Sequence, residues 1–200
     1  GLHPYHPYPG RHGRAGPVGG EDEIVQTGRQ GLARQTGMVA KMWDQIERVV
    51  DNLPVIAGKV RVYQDGLPVC GHERQIVSQL AEAGSRNHRL LLRLEARGAV
   101  LMGTESGELL VEEYRMARAA LAAGGAGGPA SREARQKALR EALLDKRDRY
   151  IAARINATLA AGETGILFLG MLHSVNRRLD PDVRVVYPVG LPQNQGGGAR

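Results

Sequence analysis

The 200 residues carry 27 Lys and Arg against 21 Asp and Glu, a formal charge of +6, with 42% hydrophobic residues, 27 glycines and 10 prolines. That balance describes one domain with flexible ends rather than two full domains. The longest apolar run, Gly165 to Leu172, is far below the roughly 20 residues of a membrane-spanning helix, so no membrane partner is expected. The single cysteine, Cys70, excludes an internal disulfide framework and a cysteine-built zinc cage, and it fits a reducing, cytoplasmic setting. The positive surplus favours acidic partners only mildly and makes no nucleic-acid footprint by itself.

Residues 1–22 hold Pro4, Pro7, Pro9 and Pro17 among scattered Gly, His and Tyr, too little apolar surface to offset ordering entropy, and read as a disordered tail. Within it, His3 to Tyr8 suits an extended solvated chain and, as the lesser reading, a weak soft-metal ligand set. A single α/β domain is expected over 23–190. Trp43, Ile46, Val49 and Val50 mark a first helix. Val60 to Gln64 reads as a strand stopped by Asp65-Gly66-Leu67-Pro68. Glu73 to Ala83 reads as a helix ended by Gly84, and Ser85 opens another that runs to Gly98, unless the two are one bent helix.

Ala99 to Met102 is a second short strand, closed by Gly103-Thr104-Glu105-Ser106, whose hydroxyls and acids open a helix from Glu108 to about Ala122. A flexible glycine-rich loop near 123–130 leads to a long helix from Ser131 to Ala161, which Gly162 ends. Ile166 to Leu169 reads as the most buried strand, Val183 to Tyr187 as a last one, and 191–200 as a second disordered tail. Strands alternating with helices specify an α/β fold, a mainly parallel sheet with helices packed on its faces, because parallel strands need crossover connections.

Ligands of such sheets bind beyond the carboxyl ends of the strands. Asp65 follows the first strand, Thr104 and Glu105 the second, and Gly170-Met171-Leu172-His173 the third. Asp65, Glu105 and His173 are therefore candidate ligands for a divalent metal ion that would activate a bound water. The same groups suit metal-free proton transfer, with a carboxylate as base and His173 as acid. Against both stands a purely local reading: Thr104 and Glu105 complementing a helix start, Asp65 making an Asx turn, and His173 a hydrogen-bonded loop residue.

Arg147 lies on the apolar stripe of the long helix marked by Leu144, Ile151 and Ile155, and either holds an anionic substrate group, orients a carboxylate, or snorkels to water. Asn87 shares a face with Ile76, Leu80 and Leu91 only if its helix is continuous. Glu73 beside Cys70-Gly71-His72 reads most simply as a first-turn acid, with an activated Cys70 thiol the lesser reading. The mixed charges from Arg132 to Arg154 are a solvated helix face sooner than a phosphate-tracking one. No phosphate-binding glycine loop or nucleophile elbow occurs.

The segment Lys146 to Ile155, continuing through Gly162 into Ile166-Leu167-Phe168-Leu169-Gly170-Met171-Leu172-His173, resembles the last helix and strand of the TraB/Tiki, ChaN and erythromycin-esterase-like superfamily, over about a fifth of the chain. The resemblance implies that His173 is a site histidine and Arg147 the helix arginine, with metal-dependent proteolysis or hydrolysis in some members and haem binding in ChaN-like ones. Ser106 stands where the family's second Gly-x-x-His motif has histidine. The expectation is an α/β protein acting as a metal-assisted hydrolase on a small-molecule or peptide substrate, with Glu105 and His173 catalytic, Asp65, Glu105 and His173 holding the metal, and Arg147 binding substrate. The alternative is a non-catalytic ligand-binding or scaffold protein of the same fold.

Overall fold

A computed structural model describes residues 37–122 and 129–189. The two predicted tails, the His3 to Tyr8 run and the loop at 123–128 lie outside the described residues. Two compact units divide the chain, Gly1–Gln45 and Ile46–Arg200. Residues 37–51 are helical (α1), and the boundary between units falls within that helix. All that follows concerns the second unit.

Its strands are β1 (Val60–Gln64), β2 (Val100–Met102) and β3 (Thr164–Phe168), which form one parallel sheet in the order β2-β1-β3. Both pairings are in line, with Tyr63 opposite Met102 on one side and Leu167 on the other. The helices are α2 (Glu73–Glu82), α3 (Arg86–Ala96), α4 (Gly107–Ala122) and α5 (Pro129–Thr158), with a 3₁₀ turn at Val175–Arg178. The α/β class and the parallel sheet are thus as the alternation of strand and helix requires. Among the described residues no helix is long and apolar enough to cross a membrane.

Side chains of a strand alternate between faces, and β1 uses both. Val60 and Val62 enter a core with Leu67, Val77, Leu90, Leu91 and Leu94 of the α2–α3 side. Tyr63 enters the other core, with Ile151, Ala152 and Ile155 of α5 and Val175 of the 3₁₀ turn. The Tyr63 hydroxyl meets Thr158 Oγ1 at 2.8 Å, so its polar tip is satisfied at the helix end. The same alternation sends Gln64 towards α3, where Asn87 donates to it at 2.7 Å, and Asp65 towards α5.

Two short helices, not one bent one, follow β1. Gly84 has φ +100°, open to glycine at little cost, and Ser85 then caps α3, its Oγ meeting the ring of His88 at 2.7 Å. Gly98 (φ +98°) is doubly constrained, since a Cβ there would lie 2.7 Å from the Cβ of Ala57.

Two sequence expectations need correction. Val183 to Tyr187 forms no strand: Asn156 of α5 holds the preceding chain at Arg178 and Asp180, and the segment leaves with Val186 60% exposed. Its β-branched composition reports fitness for a pleated, half-buried surface, not a backbone preference that acts without a partner strand. Nor is β3 the most buried strand. It sits at a sheet edge, while the central strand β1 is buried along almost its whole length.

Leu90 is fully buried and Val100, on the other edge, is 38% exposed. Leu90→Ala is therefore expected to lower stability by about 2–5 kcal/mol, and Val100→Ala by less than about 1 kcal/mol. Urea unfolding of the two variants measures the contrast.

Candidate functional site

The carboxyl ends of the strands hold a connected set of charges centred on Arg147. This residue is on α5, one turn before Ile151, and is 6% exposed. Its Nε donates to Glu105 Oε2 at 3.0 Å, and its Nη2 donates to Glu105 Oε1 at 2.5 Å and to Asp65 Oδ1 at 2.7 Å. Its Nη1 donates to Glu113 Oε1 of α4 at 2.7 Å. The planar fork matches the carboxylate of Glu105 at two points, a geometry lysine lacks.

Glu105 is fully buried. The loop after β1 and the loop after β2 run side by side, with a bridge between Pro68 and Glu105 and backbone bonds from Thr104 and Glu105 to the Leu67 carbonyl at 2.9 Å. Gly66 (φ +76°) turns its N–H onto Glu105 Oε1 at 3.1 Å. Thr104 bridges the strands, accepting from the Gln64 N–H at 2.9 Å and donating to the Met102 carbonyl at 3.1 Å. Both acceptor oxygens of Glu105 are thus occupied from within.

Asp65 joins this arrangement to His173. Its Oδ2 accepts from the Gly170 N–H at 3.2 Å and lies 3.5 Å from His173 Nε2. On the far side of the ring, His173 Nδ1 donates to Asp148 Oδ1 at 2.5 Å, and Asp148 Oδ2 accepts from the Ser174 N–H at 2.7 Å. Burial opposes a charge on His173, but the bonds to Asp65 and Asp148 outweigh it and hold the imidazole pKa above its ordinary value. Burial alone would raise Asp65; its hydrogen bonding, that to His173 foremost, and the charge of Arg147 instead take its carboxyl well below the usual range. The guanidinium is pushed up in turn, chiefly by its bond to Glu105.

Asp65, Glu105, His173 and Arg147, named from sequence, are therefore neighbours, and the nearest donor atoms of Asp65, Glu105 and His173 lie within 4.8 Å of one another. Two further members were not named. Asp148 stands at i−3 and i−7 from Ile151 and Ile155, a charge on the same apolar stripe that made Arg147 conspicuous, so its signal was present in the periodicity. Glu113 is half exposed, and its signal is weaker: it shares a face of α4 with the half-buried Leu109 and Met116. Outside this group, Glu73 Oε1 accepts from the Cys70 and Gly71 N–H groups at 2.9 and 3.0 Å, closing a local turn, and Cys70 is exposed.

Three carboxylates around one buried guanidinium are stable only as a set. Arg147→Leu leaves Glu105 buried without its cation and is expected to cost about 3–5 kcal/mol. Arg147→Leu with Glu105→Leu is expected to recover most of that loss, because the orphaned charge is gone; chemical denaturation of the double-mutant cycle measures it. His173 contributes through a raised pKa, so its stabilisation is complete below about pH 6.5 and is lost as the pH rises through the folded value. The stability gap between the protein and His173→Asn is accordingly expected to shrink on going from about pH 6 to pH 9, as measured by melting at each pH. Comparison with family models, curated proteins and solved structures finds no match to this chain.

Proposed function

We propose that the strand-end cluster is the proton-transfer centre of a hydrolase, with His173 as the residue that moves the proton. The observation that carries this reading is the double engagement of the ring, Nδ1 fixed by the buried Asp148 and Nε2 turned to Asp65 at 3.5 Å. Asp148 sets the tautomer and ring plane, so Nε2, which faces Asp65 Oδ2, is the nitrogen left to exchange a proton. Both carboxylates favour the imidazolium, which suits a base that takes a proton from an attacking water onto Nε2 and returns it to the leaving group. Arg147 acts here as a positioning residue, since Nε, Nη1 and Nη2 each donate to a carboxylate of the chain. Glu105 anchors that guanidinium. The substrate is a small molecule or peptide with an ester or amide bond, and Cys70 as the single cysteine supports a cytoplasmic setting.

A divalent cation is the second reading, and one distance favours it. Two ligands at about 2.1 Å from a tetrahedral ion are about 3.4 Å apart, close to the 3.5 Å between His173 Nε2 and Asp65 Oδ2. An imidazole held at Nδ1 by a carboxylate is also how metal-binding histidines are oriented. The third candidate fits poorly, because both oxygens of Glu105 already accept from Arg147. A cation on His173 and Asp65 would supply Lewis-acid chemistry; a three-residue site with Glu105 requires the guanidinium to leave.

Hydrolysis of a panel of p-nitrophenyl esters and chromogenic peptides tests both readings. His173→Asn is expected to lose at least about 100-fold in kcat/KM and Asp148→Asn a smaller factor, with chelator changing neither. Loss of activity in chelator, together with stoichiometric zinc or manganese binding that His173→Ala abolishes, would establish the cation reading. Absence of hydrolysis and of metal binding would instead leave the cluster as a structural clasp in a ligand-binding or scaffold protein.

A further inference from the structure

The sheet ends at β3 without a neighbour. β1 pairs with it residue for residue from Thr164 to Phe168, and no other strand among the described residues meets its far side. Alternate residues of a strand turn their N–H and C=O groups towards opposite neighbours, so part of the β3 backbone faces outward with no strand to bond. Natural edge strands are blunted by charges or by proline, and the run Thr-Gly-Ile-Leu-Phe carries neither. Ile166 and Phe168 reach the α2–α3 core from this edge and are only half-buried.

The complementary want lies farther along the chain. Val183-Arg184-Val185-Val186-Tyr187 matches β3 in length and has a strand's composition with no strand beside it. Past the bond from the Val183 N–H to the Asp180 carbonyl at 3.0 Å, no backbone bond holds this segment among the described residues. Val185 is 41% exposed, Val186 60% and Tyr187 45%. Asn156 fixes Arg178 and Asp180 against α5, and the turn at Asp180 to Val183 then leads the segment out to solvent instead of onto the β3 of its own chain.

Because one chain carries both wants, the partner that meets them is a second copy. Two copies offer each edge a segment and each segment an edge, and the exchange closes under two-fold symmetry. A foreign strand on β3 would leave the 183–187 segment bare, and a foreign sheet that took the segment would leave β3 bare. Pairing of β3 with a second β3 has the same defect. The other edge strand, β2, has three residues and is too short to match the segment.

We infer that the chain forms a reciprocal dimer in which the 183–187 segment of each copy adds a strand to the β3 edge of the other. Main-chain bonds supply the attraction, and the sheet of each copy gains a fourth strand beyond β3. Val183, Val185 and Tyr187 share one face of such a strand. Set beside Ile166 and Phe168, they cover the apolar side chains that the open edge leaves half-buried. This inference is independent of the chemistry assigned to His173.

Sedimentation equilibrium of the full chain tests the assembly, and amide hydrogen exchange tests the pairing. A dimer is expected by about 100 μM, with amides of Thr164 to Phe168 and of 183–187 gaining protection together as the concentration rises. Val185→Pro with Val186→Pro removes the N–H from adjacent positions, one of which faces the edge in either register, and is expected to weaken the dimer at least about 100-fold. Both valines are exposed in the single chain, so the variant is expected to keep the parent's circular dichroism and to melt cooperatively. Excess peptide spanning residues 182–188 is expected to dissolve the parent dimer. A monomer at every concentration, a dimer without the added protection, or a dimer that the proline variant leaves intact overturns the inference. Protection of 183–187 that does not depend on concentration overturns it in favour of pairing within one chain.

Discussion

Everything at the carboxyl edge of the sheet depends on burying the Arg147 guanidinium against Glu105. Removing both charges from water costs several kcal/mol for each ion, and their attraction offsets this only when the remaining donors and acceptors are also filled. The fold meets that condition from three directions. The turn after β1 supplies the Gly66 N–H and Asp65, the loop after β2 supplies Glu105 itself, and α4 supplies Glu113. A single arginine thus fixes how two loops and two helices meet, and the parallel register of β1 with β2 and β3 brings those segments to one edge.

The same burial sets the chemistry. Asp65 is shared between Arg147 through Oδ1 and His173 through Oδ2, so the cation on one side determines the charge that the imidazole meets on the other. Asp148, adjacent to Arg147 on α5, approaches the ring from behind. Consecutive residues of one helix therefore serve opposite ends of one network, Arg147 reaching the loops after β1 and β2 and Asp148 reaching the turn after β3. The arginine neutralises the acids and the aspartate orients the histidine.

Much of this was legible in the amino acids. Val60–Gln64 reads as a strand because its β-branched and aromatic run ends at an Asp-Gly turn, and Arg147 stands out because a charge interrupts an apolar stripe. The convergence of Asp65, Glu105 and His173 followed from the rule that parallel strands present their carboxyl ends together. What escaped had a physical reason in each case. Asp148 was masked by its place in a strip of alternating charges, although its spacing to Ile151 and Ile155 places it on the buried face. Which partner Arg147 takes is a tertiary fact, because three acids compete for it and only the packing of α5 against the loops decides. Val183 to Tyr187 carried the composition of a strand without a partner to pair with, and composition alone does not contain the path of the chain past Asn156.

The central claim is that Asp148 and Asp65, the latter shared with Arg147, hold His173 in one tautomer with a raised affinity for protons. Nitrogen-15 NMR of the histidine ring, followed through a pH titration of the intact protein, measures both at once. The account predicts a midpoint above the ordinary value of about 6.5, with Nδ1 keeping its proton at high pH, and a fall in that midpoint when Asp148 is replaced by asparagine. A midpoint at or below the ordinary value, or one that Asp148→Asn leaves unchanged, would contradict it.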